Sequence, residues 1–197
     1  MSLGINIEVT DKATPILAEL HRELTDRTGL HKYIGAAAEA GTRLHIRKAA
    51  LARHATANKL GAKPTGYLTK RAELVEGRGN AKEAEITVTG AIFKRTFGPV
   101  TVRPVAKKML AIPMRAEAYG KRPGEFGDLF LFKSKQGRLF LARQAGEGKL
   151  HFLFLLKASV VLPQDRGLLP SDEQFGQLAE LAARGYLRKR LRDMGVS

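Results

Sequence analysis

The chain has 197 residues, of which 44% are apolar and 27% charged, a globular balance that excludes a disordered or membrane-dominated polypeptide. It contains no cysteine, which excludes disulfides, thiol catalysis and thiolate metal sites. The 34 Lys and Arg exceed the 19 Asp and Glu, for a net charge of +15, and that excess favours an anionic partner: nucleic acid, or an acidic surface on another protein.

The length suits one α+β domain over residues 1–197, read as mainly helical over 1–57, loop over 58–82, β-rich over 83–163 and a C-terminal helix over 168–195. Ile5, Ile7 and Val9 alternate with polar residues, predicting a short strand. Thr10 or Asp11 then caps a helix carrying Ile16, Leu17, Leu20 and Leu24, with Gly29 as its stop. A second helix is expected from about Thr28 to Ala57, with Tyr33, Ala37, Ala40, Leu44, Lys48 and Leu51 on its packing face. The start, MSLGINIEVTD, lacks the basic and apolar regions of a secretory signal, so synthesis in the cytosol is expected.

Asn58 to Asn80 is punctuated by Gly61, Pro64, Gly66, Gly77 and Gly79 and reads as loop, with a short helix around Leu68 to Val75. Strands follow at Glu85 to Thr89, Val100 to Val102 and Met109 to Ile112, the last ending at Pro113, which cannot donate to a central ladder and so points to a sheet edge. Asp128 to Lys133 and Arg138 to Arg143 form a hairpin closed by Ser134-Lys135-Gln136-Gly137, and Gly146-Glu147-Gly148 makes the next turn. Leu150 to Leu162 reads as one long strand, and its apolar run from Phe152 to Leu156 implies burial on both faces. At 13 residues, interrupted by Lys157, it is too short for a membrane span of roughly 20. Ser171 to Gln174 is a capping box that opens a last helix, where Arg188, Lys189, Arg190 and Arg192 complement the helix dipole as solvated charges. The expected fold class is α+β: an antiparallel β-meander packed by a long N-terminal helical pair and a C-terminal helix.

Charge is uneven along the chain. Lys12 and Arg22 face Glu8, Asp11, Glu19, Glu23 and Asp26 in the first 26 residues, whereas Ile86 to Arg115 contains no acid. Lys94, Arg95, Arg103, Lys107, Lys108, Arg115, Lys121 and Arg122 therefore form a candidate interface or polyanion-contact set, with only Glu117 and Glu125 opposing them. Basic and acidic regions on one chain also allow head-to-tail self-association, which closes into a ring.

Signals for chemistry are weak. His21, His31, His45, His54 and His151 include no pair at i, i+3 or i, i+4 spacing, so no metal site is expected. Gly77-Arg78-Gly79 precedes no Lys-Ser/Thr and is not a phosphate-binding loop. Glu83 and Glu85 fit a solvated strand edge better than an acid–base pair. The reading is a non-enzyme without a cofactor. Aromatics are sparse, at 7% with no tryptophan, and Tyr119 and Phe126 alone accompany the basic segment, so a stacking platform for nucleic acid is thin.

Several loop motifs nevertheless form a pattern: Asn58-Lys59-Leu60-Gly61, Thr65-Gly66-Tyr67, Gly90-Ala91-Ile92, Phe97-Gly98, Val102-Arg103-Pro104, Leu110-Ala111-Ile112-Pro113, Ala118-Tyr119-Gly120-Lys121-Arg122-Pro123 and Leu168-Leu169-Pro170. Together, over roughly residues 5–190, they resemble the tailed-phage virion-morphogenesis, or tail-completion, proteins. Leu68 to Asn80 departs from the shorter, more regular link of that pattern. The resemblance implies a structural virion protein without catalytic residues, made in the host cytoplasm and built into the neck or tail. It implies a homo-oligomeric ring, most often six-fold, that completes the tail and joins it to the head. Its partners are then other copies of itself, tail terminator, tail tube or neck and connector proteins, and DNA in the channel, with no membrane. The alternative is a nucleic-acid-binding protein using the basic segment 93–122.

Overall fold

The computed structural model describes residues 11, 13–146 and 148–195. The strand expected at Ile5 to Val9 lies outside them. The fold is α+β: among the described residues, helices α1 (Ala13–Thr25), α2 (Thr28–Ala52), α3 (Ala55–Leu60) and α4 (Tyr67–Ala72) precede eight strands, and α5 (Asp172–Asp193) follows. The strands are β1 (Val75–Gly79), β2 (Ala84–Val88), β3 (Val100–Val102), β4 (Leu110–Pro113), β5 (Phe130–Lys133), β6 (Leu139–Gln144), β7 (Leu150–Lys157) and β8 (Val160–Leu162). The chain divides into two compact units. One comprises the described residues up to Gly41, Glu76–Thr87 and those from Asp172 on; the other comprises Thr42–Val75 and Val88–Ser171.

In the first unit, Asp11 caps α1 by accepting the N–H groups of Ala13 at 2.9 Å and Thr14 at 3.1 Å. The Thr14 hydroxyl adds a further bond, and these bonds hold the Asp11 carboxyl below the usual carboxylate range. Gly29 does not stop α1. The stop is Asp26, whose carboxylate accepts the Thr28 N–H at 3.0 Å and starts α2, leaving Gly29 inside the new helix. Gly29 has a packing role instead, because a Cβ there would lie 2.4 Å from the Tyr186 hydroxyl. That hydroxyl donates to Glu23, and Arg190 binds Glu19 at 2.6 Å and Glu23 at 2.5 Å, so α1 is held against α5 by a half-buried ionic cluster. Arg190 is therefore a structural tie and not one of a set of solvated terminal charges.

Close packing of α2 on β1 is the second tie in this unit. A Cβ at Gly77 would approach the Gly35 carbonyl oxygen to 2.0 Å, and one at Gly79 would approach the His31 carbonyl carbon to 2.2 Å. The Gly77 N–H donates to Glu39 at 2.8 Å, and Asn80 closes the β1–β2 turn by accepting from Lys82 and Glu83. Val75 to Gly79 is thus a strand and not loop: its glycines permit backbone approach to a helix where sequence reads them as breakers.

The packing face of α2 is also rotated from expectation. Gly35, Ala38, Thr42, Ile46 and Ala50 are its buried positions, while Leu44 is 52% and Leu51 77% exposed. Alanine and glycine supply most of the buried stripe, because close backbone approach is favoured there over bulk. The helix ends at Ala52, and a separate α3 runs past Ala57 to Leu60, where Gly61 in the left-handed conformation (φ 65°) caps it with N–H bonds to Ala57 and Asn58 carbonyls.

In the second unit, antiparallel β4, β7, β6 and β5 form a four-stranded sheet in that order. β4 is an edge strand, as Pro113 requires. The β5–β6 turn is held by Ser134–Arg138 and Gly137–Ser134 backbone bonds, with Gly137 at φ 77°. The strand expected from Leu150 to Leu162 is two strands. Chain after Lys157 leaves the sheet and pairs as β8 with β3, Val100 opposite Leu162. Within β7, the register shifts so that Leu141 faces Phe154 and Ala142 faces Phe152, leaving Leu153 as an extra residue. Leu153 and Phe154 both enter one core with Ala118, flanked by Ala111, Phe126, Leu129 and Leu141. Adjacent burial thus comes from a bulge, where the apolar run alone implied burial of both sheet faces.

Two measurements test this arrangement. Gly77→Ala should destabilise the protein by about 2 kcal/mol or more, as a backbone oxygen stands where its Cβ must go, with a matching fall in the denaturant midpoint. Tyr186 is pushed up to about 12 by burial and then by its bond to Glu23. A raised folded value means that the stability it contributes is present below the ordinary value of 10.0 and lost as pH rises through about 12. Alkaline absorbance titration should show one of the 4 tyrosines ionising late, and Tyr186→Phe should remove that late step.

Candidate functional site

Two concave surfaces of the second unit bear on binding. The first, of about 580 Å³, is lined by Arg53, His54, Tyr67, Arg95, Tyr119 and Asp165 among others. Both its arginines hold the scaffold together. Arg53 donates from Nε and Nη2 to the two Asp165 oxygens, both at 2.7 Å, and from Nη1 to the Ala49 carbonyl at 2.9 Å. Arg95 donates from Nε to the Pro163 carbonyl at 2.8 Å, and its own carbonyl accepts the Asp165 N–H. These bonds lock the end of α2 to the turn after β8. The Arg53 bond holds the Asp165 carboxyl below its usual range, and the same bond raises Arg53.

The second surface is an apolar groove of about 890 Å³ on one face of the four-stranded sheet. Its floor follows from register: Ala111 lies opposite Leu156, Leu156 opposite Leu139, and Leu131 opposite Leu141, so all project from the same face. The end of that face near Phe154 is covered by Ala118, Phe126 and Leu129. The other end is open, and Leu131 is 61% exposed on it. Lys107, Lys108 and Arg122 stand around the opening, and no acidic residue lines it.

The eight basic residues singled out by sequence therefore separate. Lys107, Lys108 and Arg122 share the groove. Arg95 lies in the first cavity as a structural donor. Lys94 is exposed on the 3-10 helix Ala91–Thr96. Arg103 is exposed directly after β3, and Arg115 is exposed at the start of the 3-10 helix Ala116–Ala118. Lys121 places its ammonium 5.5 Å from the centre of the Phe126 ring. The opposing acids are both committed: Glu117 pairs with Arg143 at 2.7 Å, and Glu125 accepts the Arg122 N–H at 2.6 Å. Among the described residues, no ion pair involves Lys107, Lys108 or Arg122. The groove floor was missed by sequence reading because Leu131, Leu139, Leu141 and Leu156 look like ordinary core. Only pairing shows that they share a face.

Among the described residues no group of three or more His, Asp or Glu is placed to hold a metal ion, and no helix is long and apolar enough to cross a membrane. No family model, no curated protein and no solved structure matches the chain.

The Arg53–Asp165 lock carries a pH signature. A depressed carboxylate contributes stability that is present above its unfolded value of about 3.8 and is lost as pH falls through the lower folded value. Asp165→Asn should lower stability at neutral pH by roughly 1 kcal/mol and flatten the acid limb of a stability-against-pH curve. An unchanged acid limb rules out the lock as its source.

Proposed function

We propose that this protein is a structural component of a tailed-phage particle that completes the tail and joins it to the head as a ring of identical subunits. The observation that carries the reading is the apolar sheet face opened beside unpaired cations, Lys107, Lys108 and Arg122, in a segment whose acids are already committed. Large apolar surface rimmed by charge suits a protein–protein contact. The sequence resemblance supplies the biological setting, and four of its eight motifs, from Phe97-Gly98 to the one ending at Pro123, fall within the same stretch. In this setting Arg103, Lys107 and Lys108 meet an acidic neck or tail protein, and Lys94 and Arg115 extend the positive surface toward a neighbouring subunit or the DNA channel.

Nucleic-acid binding is the second reading, carried by the exposed Lys94, Arg103 and Arg115. Binding through several phosphates weakens steeply and linearly in log salt. Absence of DNA binding at moderate salt, with ring formation by native mass measurement, decides for the assembly role. In the particle, the triple reversal Arg103→Glu, Lys107→Glu, Lys108→Glu should leave filled heads and finished tails unjoined in electron micrographs. Normal infectivity of that variant sinks the proposal.

A further inference from the structure

We infer that the groove over β4–β7–β6–β5 receives an amphipathic helix from a different protein, with an apolar stripe on its buried face and Asp or Glu along its borders. Three observations lead there. The floor is contributed by all four strands, Ala111, Leu156, Leu139, Leu141 and Leu131, so an occupant lies on the sheet face and does not extend its edge. Three inter-strand gaps span about 14 Å, enough to seat a helix of about 10–12 Å diameter. The rim is cationic at Lys107, Lys108 and Arg122, with no acid in the lining, and this charge selects the sign of the borders.

Charge also decides against a second copy of this chain. The exposed apolar residues of its longer helices are bordered by cations or by acid already paired: Leu44 and Leu51 on α2 by Arg47 and Lys48, and Leu181 and Leu187 on α5 by Arg188 and by Glu180, which Arg184 binds. On α1, where Leu17 and Leu24 are exposed, the acids Glu19 and Glu23 are already bound by Arg190. Any of these helices would set basic borders or no free acid against a basic rim. An acidic heterologous helix is the complement.

This inference rests on the assembly role and names its partner's chemistry. The test uses the full chain and a fluorescent synthetic helix of about 18 residues, with leucines at i, i+3, i+4 and i+7 and glutamates on the borders, beside a twin with lysine borders. Anisotropy should show the glutamate peptide binding at least about tenfold tighter. Lys107→Glu, Lys108→Glu, Arg122→Glu should reverse that preference. Leu131→Asp, at a position already exposed and so compatible with folding, should abolish binding of both, with circular dichroism unchanged. Equal binding of the two peptides, or binding that survives Leu131→Asp, overturns the inference. So does loss of self-association in Leu131→Asp, which assigns the groove to a second copy. Binding of phosphatidylglycerol vesicles through Leu131, with no peptide bound, overturns it in favour of a membrane. Failure of peptide binding while charge-reversed particles remain unjoined removes the helix alone; peptide binding with normal particles removes the assembly role alone.

Discussion

The bulge at Leu153 is the feature on which the second unit depends. A regular strand would send Leu153 and Phe154 to opposite faces of the sheet. The extra residue turns both into one core with Ala118, and the Leu153 carbonyl accepts the Met114 N–H at 2.9 Å, fastening the segment after β4. Buried phenylalanine and leucine are each worth roughly 1.5–3 kcal/mol, so this pair anchors the 3-10 helix Ala116–Ala118 and the loop through Phe126 over one end of the face. The covering ends there, and the remaining leucines form the open groove.

The basic segment is therefore two things at once. Part of it is scaffold: Arg95 fixes the chain after β8, Lys121 lies over Phe126, and Arg122 is tied through its backbone to Glu125. Lys107, Lys108 and the Arg122 side chain are charge at the mouth of an apolar surface. The scaffold depends on the covering loop staying in place, so cation placement and groove shape are set by the same contacts. Unpaired Lys107 and Lys108 sit on the chain between β3 and β4, whose two ends are fixed by pairing to β8 and β7.

In the first unit the governing constraint is closeness. Gly35, Gly77 and Gly79 let backbone meet backbone between α2 and β1, and Gly29 admits Tyr186 beside α2. Where no side chain can stand, shape complementarity depends on glycine alone. The Glu19–Glu23–Arg190–Tyr186 cluster then fixes which helices meet, because half-buried charges are stable only when paired.

Sequence by itself determined the α+β class, the strands at 100–102 and 110–113, the hairpin of β5 and β6, the edge position of β4, a cap at Thr10 or Asp11 and the terminal helix. Each follows from local chemistry: β-branched alternation, a proline without a donor, an aspartate before a helix, a glycine at φ > 0. It also picked out Lys107 and Lys108 in an acid-free stretch and Arg122 beside Glu117 and Glu125, among eight basic residues. Tertiary structure alone decided the rest. The buried stripe of α2 could not be phased from sequence, since alanine fits either side. Gly77 and Gly79 read as loop because a close approach has no local signature. The break between β7 and β8, the bulge at Leu153 and the shared face of Leu131, Leu141 and Leu156 depend on which strands pair and in which register, and pairing is a property of residues far apart in the chain.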